Sequence, residues 1–210
     1  MAGKNKPNYT DEQLCTIAGI EADVKEHLAA KPHRLGHSLS VAQCAEKLAL
    51  AYGVDPYLAH VAGLLHDWDK ALSKEQVIER ARELGIDLGV DLRLVQPLLH
   101  GIVAARELPS RYPDLPPEVW HAISVHTTAA PEMSPLDEVL FVADGIEPMR
   151  PDTPGIHSVR KKVGEVSLDD LFWESFVGGI VYVLDGSRYL WPGTIDTYNK
   201  IAQRRSHQGE

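Results

Sequence analysis

The stretch Val61-Ala62-Gly63-Leu64-Leu65-His66-Asp67-Trp68-Asp69-Lys70 decides how the chain is read. Five apolar or small residues run straight into a histidine, two carboxylates and a lysine. Such a run reads as a buried helix, and its charged end must open onto a cavity that stabilises charge. Asp55-Pro56 supplies the start of that helix, an N-cap followed by proline at the first helical position. The polar end therefore sits about three turns from its cap.

Outward from this helix the same three-or-four spacing recurs. Met1 to Asn8, with Lys4, Lys6 and Pro7, belongs to a flexible tail over residues 1–9. Thr10 caps a helix with Leu14, Ile17, Val24 and Leu28 on one face, ending near Lys31-Pro32. A second helix begins near His33, carries His37 in its first turns, and closes at Tyr52-Gly53. On the C-terminal side, Ser73-Lys74-Glu75-Gln76 has the form of a capping box for a helix bearing Val77, Ile78, Ala81 and Leu84. Gly85 to Gln96 has no decisive pattern. Pro97 opens a helix through Leu99, His100 and Val103, and Pro109 to Pro117 reads as a proline-rich connection. Pro117 starts a helix that finishes at His126, and Ser134-Pro135-Leu136-Asp137 caps an almost all-round apolar helix that holds Asp144. Pro148 to Gly155 reads as a loop. A helix from about Leu168 to Leu184 is weakened by Gly178-Gly179, and a last one from Pro192 to Arg205 turns Ile195, Tyr198 and Ile201 inward. No sustained period-two pattern occurs, so the expected fold is all-α, a single domain over residues 10–206.

The totals narrow the function classes. A chain of 210 residues suffices for one well-buried domain, and 44% hydrophobic with 24% charged residues is ordinary for a soluble globular protein. A formal charge of -9 argues against a general nucleic-acid surface, so no nucleic-acid partner is expected. Cys15 and Cys44 both fall in helical patterns and make no disulfide framework, which fits a reducing cytoplasm. Neither a secretory segment at Met1 to Thr10 nor an apolar run of about 18 residues is present, so no membrane association is expected.

Several ionisable residues share one placement, within or at the end of an apolar helical segment. His37 follows Leu35, His66-Asp67 follows Leu64-Leu65, His100 follows Leu98-Leu99, His126 follows Ile123 and Val125, and Asp144 follows Val142-Ala143. Burying so many such groups without partners is prohibitive, and shared coordination of metal explains them together. Imidazole and carboxylate without thiolate suit iron, manganese, cobalt or zinc, and one carboxylate can bridge two cations.

The order His37, His66-Asp67, His100, His126, Asp144 resembles the HD-domain metal phosphohydrolases, and the local words agree. Arg34-Leu35-Gly36-His37-Ser38 resembles the opening motif, Leu64-Leu65-His66-Asp67-Trp68-Asp69-Lys70 the motif that names the superfamily, and Ala143-Asp144 the closing one. Leu99-His100-Gly101, His126-Thr127-Thr128, Ala143 to Arg150 and Thr197-Tyr198-Asn199 are similar to the YqeK-like symmetrical bis(5'-nucleosyl)-tetraphosphatases, over roughly Pro32 to Asn199. The resemblance implies an HD-domain helical bundle that binds two metal ions, iron by the family's habit. His37, His66, Asp67 and Asp144 would hold one; Asp67, His100 and His126 the other. It also implies hydrolysis of diadenosine tetraphosphate to two ADP by a metal-bridging hydroxide, with Asp67, Lys70 and Arg34 as catalytic residues. Arg34, Lys70, Thr128 and Arg150 would contact the nucleotide substrate, and a homodimer is possible. The alternatives are an HD phosphohydrolase acting on a nucleoside mono-, di- or triphosphate or a guanosine alarmone, and a non-catalytic nucleotide or metal sensor.

The chain departs from the family words at Asp69, an extra negative charge before Lys70, at Ala129-Ala130 after Thr128, and around Trp173 and Gly178-Gly179. His27, His33, His60, His121, His157 and His207 lack motif context and read as ordinary surface or core histidines. Trp68, Trp120, Trp173 and Trp191 read as packing residues, with Trp68 near enough to wall the site. Lys161-Lys162 and Arg204-Arg205 read as solvated faces, and Cys44 as a small buried residue.

Overall fold

Capping chemistry fixes where most helices begin. The computed structural model describes residues 7–208, so residues 1–6 of the tail expected over residues 1–9 lie outside the described residues. Helix α1 (Asp11–His27) starts at Thr10, whose hydroxyl accepts from the Gln13 amide while the Gln13 side chain accepts from the Thr10 amide. Reciprocal boxes of the same kind open α4 (Lys74–Glu83) at Ser73 and α7 (Pro135–Ile146) at Ser134. Asp55 caps α3 (Pro56–Leu65) by accepting from the Tyr57 and Leu58 amides. Helix α2 (Pro32–Tyr52) takes proline at its first position and stops at Gly53, whose φ of 72° is left-handed backbone. A 3-10 turn, Trp68–Ala71, follows α3; the remaining helices are α5 (Gln96–Arg111), α6 (Pro117–Val125), α8 (Pro154–Lys162), α9 (Leu168–Asp185) and α10 (Pro192–Gln208). Among the described residues there is no strand, and the all-α expectation is borne out.

The centre of the bundle is α3, buried between α2, α6 and α7. Its Leu64 and Leu65 are almost wholly withdrawn from water, which at ~1.5–3 kcal/mol per side chain fastens the helix that carries His66-Asp67. The α2–α3 contact is backbone to backbone. A Cβ on Gly63 would stand 2.6 Å from the Ala42 Cα and 2.8 Å from its nitrogen. Helix α7 packs against α2 and α6 and is covered by α9, where Phe141, Phe172 and Phe176 stack into one aromatic group. A smaller apolar cluster, Val77, Ala81, Ile86, Leu92, Val95, Leu99 and Val103, joins α4 to α5.

Several local expectations need correction. Helix α5 runs through Pro109 to Arg111; the proline lies in the last turn, where the donor it lacks interrupts little. Helix α8 occupies part of a stretch with no expected element, capped by Thr153 with Pro154 behind it and ending in Arg160, Lys161 and Lys162, which suit the C-terminal dipole. Helix α9, by contrast, spans its expected range through Gly178-Gly179, because about 1 kcal/mol of propensity at each position is small beside the burial of Leu171, Phe172 and Phe176. Leu14 (51% exposed) and Ile195 (47%) do not face inward, since α1 docks through Ile20, Val24 and Leu28, and α10 through Ile201. Arg204 and Arg205 are engaged rather than merely solvated. Arg204 donates to the Pro131 carbonyl, and Arg205 pairs with Asp169 and Asp170 and lies over the Trp173 ring.

Candidate metal centre

Five helix ends meet at one point. His37 comes from the first turns of α2, His66 caps the C-terminus of α3 with Asp67 next to it, and His100 stands at the start of α5. His126 caps α6, and Asp144 lies in the last turn of α7. All six residues named by sequence converge. The ligand atoms of His37, His66 and Asp67 lie within 4.8 Å of one another, as do those of Asp67, His100 and His126, and those of His66, His126 and Asp144.

Local backbone sets the rings. His66 donates Nδ1–H to the Gly63 carbonyl (2.8 Å), His100 to Pro97 (3.0 Å) and His126 to Ile123 (2.6 Å), each three residues back. A carbonyl only accepts, so Nδ1 must carry the proton and, in the neutral ring, Nε2 presents its lone pair. Yet the His100 and His126 Nε2 atoms are 3.0 Å apart, and those of His37 and His66 3.3 Å. Two lone pairs at that distance repel unless a cation or a proton lies between them. Burial keeps His100 below its ordinary pKa, and burial with repulsion from His100 and His66 pushes His126 down to about 3. Protons are therefore poor candidates at the His100–His126 end, whereas donors around a tetrahedral cation at about 2.1 Å stand about 3.4 Å apart. The cluster fits metal.

The carboxylates divide between the rings. Asp67 Oδ1 lies 3.0 Å from His100 Nε2 and 3.7 Å from His66 Nε2, while Oδ2 lies 3.8 Å from His37 Nε2. Asp144 Oδ1 is 3.0 Å from His37 Nε2 and 3.9 Å from His66 Nε2. Asp67 thus spans two groups of histidines with two oxygens. Burial works to raise both acids, but the nearby rings and bases outweigh it and hold each well below the carboxylate range: His66, a hydrogen bond from His100, and Lys70 at Asp67; a hydrogen bond from His37, then His66 and Arg150, at Asp144.

Basic residues ring the cluster. Arg34 donates to Asp67 Oδ2 at 3.2 Å, and Arg150 to Asp144 Oδ1 at 2.6 Å. Lys70 is half-buried, which lowers its pKa against the pull of Asp67, and among the described residues it makes no ion pair. Thr128 stands apart. It lines a cleft of about 680 Å³ between α5, α6 and the start of α10, bordered by Arg106, Trp120 and Trp191 and by none of the six clustered residues. Among the described residues Asp69 pairs with neither Lys70 nor any other base. Its Oδ2 has no partner among the described residues, and burial, with Glu107 nearby, pushes the carboxyl up to about 7. Trp68 is not a wall of the cluster; it stacks on His27 at 3.9 Å and lies under Arg111.

Sequence reasoning gave Glu147 no role. Only 1% exposed, it accepts from His37 Nδ1 (3.1 Å), from Ser40 Oγ (2.6 Å) and from the Met149 amide (2.6 Å). The available signal was an acidic residue following the buried Ile146 directly.

The HD domain family matches residues 34–149. Symmetrical bis(5'-nucleosyl)-tetraphosphatases are similar along most of their length. The one from Halalkalibacterium halodurans is 33% identical over 178 residues, 85% of this chain and 92% of that protein. The one from Staphylococcus aureus is 36% identical over 178 residues, 83% and 89%. A crystal structure from Clostridium acetobutylicum, described as a predicted HD superfamily hydrolase involved in NAD metabolism, superposes with a TM-score of 0.79 at 33% identity, covering 89% of this chain and 97% of that one. The matched span starts three residues before His37, ends two after Glu147 and encloses all six clustered residues, so the chain belongs to the HD-domain family.

Proposed function

We propose that this chain is a metal-dependent hydrolase that cleaves dinucleoside tetraphosphates symmetrically, converting diadenosine tetraphosphate and water to two ADP. One observation carries the metal requirement: the His100 and His126 Nε2 atoms face each other at 3.0 Å with both Nδ1 atoms committed to carbonyls. The similar tetraphosphatases along most of the chain support the substrate.

His37, His66, Asp67 and Asp144 would hold one cation and Asp67, His100 and His126 the other, iron being our choice and manganese, cobalt or zinc the alternatives. When bound, such cations supply Lewis acidity and bring the pKa of water toward about 7. The chain's own residues orient and neutralise. Lys70, without an ion pair, takes a phosphate oxygen, and Arg34 and Arg150, already directed at the ligand carboxylates, meet charge that builds on the phosphates. Cleavage breaks the central P–O–P link; water's oxygen joins one phosphorus and its protons are shared between the two ADP products. Thr128 contacts a nucleoside from its side of the α5–α6–α10 cleft.

We place the enzyme in the cytoplasm, where Cys15 and Cys44 remain free thiols. Among the described residues no helix is long and apolar enough to cross a membrane. The exposed Val181, Tyr182 and Leu184 of α9 offer a face for a homodimer, which sedimentation tests. Product analysis after metal loading decides the activity. ADP alone is expected; AMP with ATP refutes the symmetrical cleavage, and no turnover with any of the four metals refutes the hydrolase. Asp67→Ala removes the oxygen pair that spans the histidines and should abolish both metal binding and turnover.

A further inference from the structure

Three of the four clustered histidines orient themselves on their own helix. His37 does not: three residues before it stands Arg34, whose carbonyl it leaves alone, and its Nδ1 instead meets a carboxylate 110 positions away in sequence. That carboxylate is itself immobilised. Glu147 Oε2 accepts from the Ser40 hydroxyl, one turn along α2 from His37, and from the Met149 amide, both at 2.6 Å. The backbone beneath is held as well. Arg160 of α8 donates to the carbonyls of Ile146 (2.9 Å), Glu147 (2.7 Å) and Arg150 (3.1 Å), pinning the turn that carries Glu147 toward His37 and Arg150 toward Asp144.

We propose that Glu147 is the positioning residue for His37: clamped by Ser40 and the Met149 amide, its carboxylate keeps the ring proton on Nδ1 and so turns the Nε2 lone pair into the cluster. The inference rests on the metal-binding reading above and adds a determinant of it. Burial alone does not explain the residue. A wholly buried carboxylate with three hydrogen bonds is expensive to assemble, and a carbonyl would suffice to fix the tautomer, as it does for His66, His100 and His126. A carboxylate adds charge. It makes the imidazole a stronger donor to a cation, and outer partners of this kind change metal affinity by about 10–100-fold.

Glu147→Gln separates this role from simple packing. The amide has the same shape, but the Ser40 hydroxyl and the Met149 amide both prefer its oxygen, so its NH₂ must face His37. An NH₂ there donates to Nδ1 and forces the ring proton onto Nε2. Two readouts follow, one independent of any metal. Nitrogen-15 shifts of His37 in the metal-free protein at alkaline pH, where the ring carries one proton and Asp144 Oδ1, 3.0 Å from Nε2, competes with Glu147 for it, should show a larger Nδ1–H fraction in the wild type than in E147Q, where Nε2–H takes over. Titration with Mn²⁺ should show affinity lower by about 10–100-fold in E147Q, with a smaller loss for Ser40→Ala, which keeps the carboxylate but removes one clamp. An unchanged His37 tautomer overturns the proposal, as does a folded E147Q protein that binds Mn²⁺ like the wild type. If the wild type itself binds no Mn²⁺ or other divalent metal, the metal-binding reading fails, and the nitrogen shifts still decide whether Glu147 sets the ring. Should E147Q fail to fold, S40A carries the test: wild-type Mn²⁺ affinity in S40A then overturns the clamp.

Discussion

Gly101→Ala is a one-methyl change that should disable the cluster without replacing any of its six residues. The residue lies next to His100 on α5, where that helix crosses the end of α6. A Cβ added there would stand 2.5 Å from the Ile123 carbonyl oxygen, 2.6 Å from His126 Cε1 and 2.7 Å from His126 Nδ1. Ordinary contact begins near 3.4 Å, so the two helices must part by about 0.9 Å or the ring must turn. The Ile123 carbonyl is also the group that fixes His126, so neither partner can yield without moving the other. Overpacking of a rigid site costs about 1–3 kcal/mol. A site held to about 0.5 Å cannot absorb a displacement nearly twice that. Urea unfolding should therefore show ~1–3 kcal/mol of lost stability, and metal titration a loss at the group formed by Asp67, His100 and His126. A variant within 0.5 kcal/mol of wild type that keeps full metal content would refute the reasoning.

Other outcomes follow from the same structure. Glu138, buried on α7, has its carboxyl pushed from 4.5 to about 7 by burial, then by Asp169 and Asp137, against Arg204 and Arg205. Its folded pKa lies above the unfolded one, so this stability is present in full below pH 4.5, falls as pH rises to about 7, and is flat above. The full shift would be worth ~3 kcal/mol at 1.36 per unit, and screening by water of the repulsion from the half-exposed Asp169 reduces it to ~2. Glu138→Gln should flatten that slope in urea unfolding across pH 4–8 and stabilise the protein at pH 8; an unchanged slope counts against the burial argument. Gly178→Ala meets open space inside α9, so it should stabilise by about 0.5–1 kcal/mol and raise Tm by about 1–4 °C in calorimetry. Destabilisation there would mean that this face is covered in solution.

What was legible in the sequence was local. The caps at Thr10, Ser73 and Ser134 and the Asp55-Pro56 start are read within four residues, and each stands where expected. The six clustered residues were legible because an ionisable group against an apolar helix has few explanations other than a shared partner. Helix α8 escaped although Thr153-Pro154 repeats the Ser134-Pro135 form, since only Val159 on it is buried and the apolar stripe is too thin to register. Leu14 and Ile195 have the right spacing, but which part of a face is covered depends on a neighbour that periodicity does not name. Glu147 and Asp69 were illegible for a related reason. The side-chain partners of the first lie on α2, and the second is marked by an Oδ2 with no partner among the described residues.

The way the rings are held bears on the order of assembly. His66, His100 and His126 take their orientation from carbonyls three residues away, so each is set as soon as its own helix end forms. His37 waits for Glu147, across 110 positions of chain. A nascent or truncated chain ending before α7 can therefore carry three oriented imidazoles and still lack the fourth. Completion of the centre reports that the two halves of the chain have closed on each other.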